Sequence, residues 1–370
     1  MKNLLPFAII AFLAIVSCKK DGNNTANTPA NSSYKDSAVT AWFQRTSGVT
    51  AADGALSVAL SNGKSLFLFG DSYIDNYDPV TKTVPCLFQV RSAGLLVDPA
   101  NPINGAVTLT GSGSPKSYFA LGTDNSYWFW PGTGYQQGDT AYVFMSRLHL
   151  TGTGGSFGFE GVDSQYVAKI KVPEMIVAGF ASLGSRMKIT FGHGEVHEGG
   201  FYYAYGTRDN GFGNDVFVAR YPENNIYAAW EYFNGSGWNT DINTAAKIYS
   251  EFTSSFHVFK LAGKYVLLTT QFSVGCDQGK EIYSYTSNSL TGPFSNKKMI
   301  WTVNDTLQGH YPFFYLAYAH PEIDNGKQEL LVTYCINGYG SCVNTCINNR
   351  LDPNMYRPRA IRVPYSVMGL

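Results

Sequence analysis

Two aspartates are the residues best placed to do chemistry together. Asp53 and Asp71 flank two apolar runs, ALSVAL and SLFLFG, that turn at Ser61-Asn62-Gly63, and each aspartate lies nine residues from Asn62. In an antiparallel hairpin centred there, residues equidistant from the turn face each other, with Cβ atoms roughly 4.5–5.5 Å apart. Two carboxylates that close repel, so one holds its proton to a higher pH. A protonated acid beside an ionised base is the pair that glycoside hydrolysis uses. The competing reading is local: Asp before Gly or Ser also caps turns through nearby amides, and a one-residue slip would put the two on opposite faces.

The elements that must position the pair recur along the chain. Five segments share one plan, an inner strand, a tight turn with glycine, and a strongly apolar or aromatic strand. Their turn glycines are Gly63, Gly138, Gly199, Gly263 and Gly326, at intervals of 61 to 75 residues. Short glycine turns between runs of Val, Tyr, Phe and Leu are strong hairpin signals. The interval leaves room for two more strands per repeat, such as 215–220 with 230–233, and 281–285 with 298–303. Four-stranded sheets repeated radially make a β-propeller, so the expected fold is all-β with five blades. A β-sandwich does not predict even spacing. After the fifth hairpin only one strand, 359–363, is evident, and a strand at 39–45 is expected to complete the last blade.

On this plan several side chains fall on inner strands and could line one funnel with the aspartates. Trp130 lies on the second, His193 and Glu195 on the third, His257 on the fourth, and Tyr318 and His320 on the fifth. Glu195 is a third candidate carboxylate, and the others are candidate substrate contacts. Each has a structural alternative, since a lone histidine or tryptophan on an inner strand often only packs. Arg357 and Arg359 could pair with the carboxylates or fasten the C-terminus.

Composition narrows the partners. Lysines and arginines balance aspartates and glutamates at 27 each, which leaves no basic face for nucleic acid. Aromatics make up 15% of the chain and charged residues only 15%, against about 25% in typical proteins. Exposed aromatic rings suit the C–H faces of sugars. No motif demands a cofactor or metal, although a calcium ion in the channel is compatible. Five cysteines follow Cys18, an odd number that leaves one unpaired. Cys335, Cys342 and Cys346 are close enough in sequence for one pair among them to clip a loop.

The chain opens on a basic start and an apolar run from Leu4 to Val16, too short for a membrane span. Its end, Ala14-Ile15-Val16-Ser17-Cys18, resembles a lipobox with Cys18 as the lipidated residue, and Cys18-Lys19-Lys20-Asp21 looks like the start of exported lipoproteins of the Bacteroidetes. The expected divisions are a signal peptide at 1–17, a lipidated cysteine and polar tether at 18–37, and the propeller at 38–370. Localisation would be the cell envelope, anchored at the outer membrane, as a monomer.

The segments TAADGALSVALSNGKSLFLFGDS, ITFGHGEVHEGGFYYAYGT and AYAHPEI, with the ending YRPRAIRV, resemble a group of exported five-bladed propellers. They are similar to glycoside hydrolase family 183, the endo-D-arabinanases, and more distantly to the arabinanase-like family 43. The resemblance runs from about residue 40 to 364. It implies that the two first-blade aspartates, Asp53 and Asp71 here, carry acid/base chemistry on an arabinofuranose-containing polysaccharide. Relatives often have an acidic residue in the fourth inner strand, where this chain reads Ser254-Ser255-Phe256-His257 with Glu251 upstream. A non-catalytic surface glycan-binding lipoprotein and a protein-interaction propeller remain open as alternatives.

Overall fold

All five turn glycines adopt left-handed backbone: φ is +80° at Gly63, +60° at Gly138 and Gly199, +76° at Gly263 and +72° at Gly326. Glycine occupies this region without the steric cost of a Cβ, and each turn launches the second strand of a blade. The computed structural model describes residues 30–370 apart from 113–115, 121–125, 153–157, 212, 252, 254 and 339–342. The leader, Cys18, Cys342 and most of the tether lie outside the described residues.

Blade 1 pairs Val49–Ala59, Ser65–Ile74, Ala93–Val97 and Val107–Leu109 in that order, all antiparallel. Blade 2 comprises Tyr127–Gln137, Thr140–Leu150, Phe159–Lys171 and Ile176–Ser182. Blade 3 has Thr190–Glu198, Phe201–Asp209, Asn214–Pro222 and Glu231–Phe233, extended by Trp238–Asn239 and Tyr249–Glu251. Blade 4 is Phe256–Leu261, Lys264–Thr270, Glu281–Ser287 and Ser295–Thr302. Blade 5 combines Phe313–His320, Glu329–Asn337 and Arg359–Pro364 with Tyr34–Lys35 on its outer edge. Each inner strand packs against the next, and the fifth packs against the first. The fold is a five-bladed β-propeller.

The core is divided among the blade junctions. One apolar cluster fills each: Phe67 and Leu331 between blades 5 and 1, Leu66 and Phe129 between 1 and 2, Phe144 and Phe217 between 2 and 3. Val218 with Leu267 and Leu268 with Val332 fill the remaining two. The second strand of each blade is covered on both faces, so it reads as a continuous apolar run rather than an alternation. Every residue of Ser65–Ile74 is buried. Removing a Phe or Leu of this kind from water contributes about 1.5–3 kcal/mol.

The blade-closing strand differs from expectation. Residues 39–45 do not form it: Ser37–Thr40 is a helical turn whose N-cap, Asp36, accepts from the Val39 amide, and Ala41–Phe43 continues as a 3-10 turn. The spacing of Val39, Trp42 and Phe43 is helical, three and four residues apart, and all three are buried. Trp42 and Phe43 meet the Phe67 ring edge-to-face at 6.3 and 5.4 Å. The closing strand comes earlier, Tyr34 opposite Arg362 and Lys35 opposite Ile361, within the stretch read as tether. Arg362 is held by Asp36 at 3.0 Å, and Tyr34 donates to Glu329 at 2.7 Å.

Between the second and third strands of blade 1, residues 75–92 form a strap. Val84–Pro85 pairs with Arg350–Leu351 of the segment after blade 5. A disulfide joins Cys86 to Cys346. The expected clip within 335–346 is therefore absent: Cys346 is taken by the strap, and Cys335 is a buried free thiol whose Sγ accepts from the Gly54 amide at 3.2 Å. Cys276 is also disulfide-bonded.

Candidate active site

The register that placed the aspartates together holds on both sides of them. Ala52 faces Ser72 and Leu56 faces Leu68, with irregularities on either side of Gly54. Gly54 at φ +104° and Ala55 at +61° take up the extra backbone. Such bulges re-aim side chains and often lie beside active sites. Here they turn Asp53 over Gly70: a Cβ at Gly70 would come within 2.6 Å of Asp53 Oδ1 and 3.5 Å of the Trp130 ring. The glycine of the FGDS segment is the floor on which the Asp53 carboxylate rests.

Three blades hold the pair. Tyr315, from the inner strand of blade 5, donates its hydroxyl to Asp53 Oδ2 at 3.0 Å, and Tyr356 donates a second phenol. Trp130, from the inner strand of blade 2, donates its indole N–H to Asp71 Oδ1 at 3.2 Å. Arg91, on the strap, reaches Asp71 Oδ2 at 3.2 Å. Trp128, Trp130 and Phe159 form an aromatic wall beside Asp71, with Trp130 and Phe159 edge-to-face at 4.9 Å.

Burial sets the protonation of the pair. Asp53 is densely surrounded yet keeps a solvent-accessible edge, and burial pushes it up to about 6 against the two phenol donors. Asp71 is pushed up to about 7 by burial and by the charge of Asp53, with Arg91 and Trp130 pulling the other way. The carboxylates titrate as a coupled pair. Asp71 keeps its proton to a higher pH than Asp53, the recipient of two O–H donors.

The other candidates make no hydrogen bond or ion pair with either aspartate among the described residues. Glu195 sits between blades 2 and 3, where buried Thr133 donates to it, and burial pushes it up to about 8. No hydrogen bond or ion pair among the described residues links it to either aspartate; its electrostatic neighbours are Tyr135, Tyr202, Tyr221 and Tyr318. His193 has both ring nitrogens engaged, by the Phe256 carbonyl at 3.3 Å and Thr207 at 3.1 Å. His320 is fully buried and equally committed, to Ser57 at 2.7 Å and Thr333 at 2.8 Å, and burial lowers it to about 3. Both are fastenings between strands rather than substrate contacts, because no ring nitrogen is left to offer. His257 accepts the Ala319 amide at 3.0 Å and stacks on Tyr318 at 3.8 Å between centroids. Arg357 donates to the carbonyls of Thr50 and Arg45, and Arg359 to those of Arg357 and Asn354. They fasten the C-terminal segment, and the cation on the pair is Arg91. Glu251 faces Tyr249, Tyr285 and Lys297. Among the described residues no group of three or more His, Cys, Asp or Glu is arranged to hold a metal ion.

Sequence reasoning missed Arg91, Tyr315 and Tyr356. Tyr356 begins the quoted YRPR ending and Tyr315 lies two residues before the quoted AYAHPEI segment, but nothing local ties them to Asp53. Arg91 follows an irregular stretch with no period to read.

One family model spans nearly all of this architecture, matching residues 36–365. The chain belongs to the family described as domain of unknown function DUF5005. No curated protein matches it. Among solved structures, this DUF5005 domain is similar to a protein from Bacteroides ovatus ATCC 8483 with a provisional hydrolase designation. The two are 17% identical, with 90% of each chain covered and a TM-score of 0.74. An exo-1,5-alpha-L-arabinanase from a bovine ruminal metagenomic library is 11% identical, over 86% of the DUF5005 chain and 94% of its own, at a TM-score of 0.47. The alpha-L-arabinofuranosidase PaAbf62A from Podospora anserina is 9% identical, over 85% and 91%, at 0.46.

Proposed function

We propose that this chain is a glycoside hydrolase with Asp53 and Asp71 as its reacting carboxylates. The observation that carries the reading is the pair itself: two carboxylates on one hairpin, supported from three blades, with Asp71 keeping its proton to a higher pH than Asp53. Asp53 takes the proton of the attacking water as its oxygen bonds to the anomeric carbon. Asp71 gives its proton to the leaving oxygen as the glycosidic C–O bond breaks. Trp130 and Phe159, both partly exposed, offer apolar surface to a sugar ring, with buried Trp128 behind them. The resemblance to family 183 makes an arabinofuranose-containing polysaccharide the proposed substrate. The lipobox-like ending at Cys18 supports a lipid anchor at the outer membrane.

The test is a panel of arabinans, arabinogalactans and other plant and bacterial glycans, with released reducing sugar as the readout. Release should fall by about 10²–10⁴ in Asp53→Asn and in Asp71→Asn, with melting temperatures retained. Retained binding to one glycan without release from any would replace this reading with a glycan-binding module.

A further inference from the structure

Arg91 is held more tightly than a surface counter-ion needs to be. Its guanidinium lies over the Phe88 ring at 4.8 Å and the Trp128 ring at 4.2 Å. Only one of its terminal nitrogens meets Asp71. A planar guanidinium between two rings is fixed in orientation and gains from both faces, which an ammonium on a flexible stem does not reproduce. The backbone is fixed as well. The Ser72 amide donates to the Val90 carbonyl at 2.8 Å, and the Gln89 and Val90 amides return bonds to the Ser72 carbonyl. The Arg91 amide donates to Ser117 Oγ at 2.9 Å. Asp71 and Arg91 are thus the chain neighbours of two bridged residues, Ser72 and Val90, so the bridge sets the distance between their charges. Further along the strap, the Cys86–Cys346 disulfide and Arg350, which donates to the Thr83 carbonyl at 2.7 Å, hold the segment down.

Among the described residues, the charges acting on Asp71 are those of Asp53 and Arg91. Asp53 faces it from the inner strand, with Tyr315, Tyr356 and Cys335 behind that carboxylate, and Trp130 and Trp128 on the blade 2 side do not titrate. Arg91 is the only cation on the pair among the described residues.

We propose that Arg91 is a positioning residue: clamped between Phe88 and Trp128, it orients the Asp71 carboxylate and sets the pH at which the Asp53–Asp71 pair exchanges its shared proton. The proposal deepens the hydrolase reading and rests on it for its rate readout alone. The full chain, labelled with carboxyl-¹³C aspartate, is titrated by NMR with Asp53 and Asp71 assigned from their Asn variants. A pH–rate profile is taken on whichever glycan is cleaved. In Arg91→Met the higher titration of the pair should move up by about one pH unit, since an opposite charge at this range lowers a carboxyl by about 1–3 units and partial exposure weakens it. The alkaline limb of kcat should move with it, and KM should change little. Arg91→Lys should recover the midpoint only in part, because it restores charge without the clamp. If Arg91→Met does not fold, Trp128→Leu, which opens the clamp and leaves the charge, should move the midpoint in the same direction. Unmoved carboxyl titrations in folded variants would overturn the proposal. If wild type cleaves no glycan, the hydrolase reading fails while the NMR titration still decides the role of Arg91.

Discussion

Trp130 Nε1 lies 3.2 Å from Asp71 Oδ1, so a residue of the second blade completes a carboxylate of the first. The contact crosses a blade junction, which makes the protonation of Asp71 depend on how blades 1 and 2 dock. Trp130→Phe keeps a ring against Phe159 and removes the donor. A hydrogen bond to a charged group is worth about 1.5–3 kcal/mol, so kcat/KM should fall about tenfold or more, with the alkaline limb of the profile moved upward. Steady-state kinetics across pH checks this, and an unchanged profile would count against the indole N–H as a support of Asp71.

Gly70→Ala tests the floor under Asp53. The added methyl would stand 2.6 Å from Asp53 Oδ1, closer than a Cβ contact can be, so the carboxylate must move. Activity should drop by about 10²-fold, as expected when a catalytic group is displaced by an ångström, while circular dichroism and the melting temperature stay close to wild type. Full activity in a folded Gly70→Ala variant would mean that Asp53 is free to shift without consequence.

Glu195 leads to a prediction about stability rather than rate. Its carboxyl is raised from 4.5 to about 8 by burial. The folded state therefore binds the proton more tightly than the unfolded chain does. Its contribution to stability is complete below about pH 4.5 and is lost as the pH rises through about 8. Asp53, Asp71 and Glu322 are raised in the same sense. Burial lowers His193, His257 and His320, which opposes this trend below about pH 6.5, so the melting temperature should fall from about pH 6.5 to about pH 8. Glu195→Gln should melt a few degrees above wild type at the alkaline end and close to it at the acid end. Calorimetry across that range checks the sign, and parallel curves would argue against a buried proton on Glu195.

Much of the blade plan was readable because hairpins are local. A glycine that must adopt positive φ, between runs that must be buried on both faces, specifies a turn without help from distant residues. The Asp53–Asp71 register followed from the same geometry, and the bulges at Gly54 and Ala55 adjusted it without breaking it. The strand expected at 39–45 was a misreading: Val39, Trp42 and Phe43 are spaced three and four residues apart, as in the helical turn they form. What supports the pair was not legible. Tyr315 is 262 residues from Asp53, and the cysteine that closes the strap is 260 residues from Cys86. Only the closed ring brings such residues together. The histidines were misleading for a related reason: inner-strand positions in a ring face neighbouring strands as often as the axis, and His193 and His320 spend both nitrogens on them.

Tyr34 opposite Arg362 puts the start and the finish of the folded chain side by side in one sheet. The seam of the ring therefore runs through the outer part of a blade, while the inner strands of all five blades follow one another without interruption around the axis. The order in which the blades are threaded is then a matter of where the chain happens to be cut. A circular permutant that links Leu370 to the segment before Tyr34 and opens at the exposed Gly138 turn would keep every inter-blade contact, with the aspartate pair carried toward the end of the new sequence instead of near its beginning.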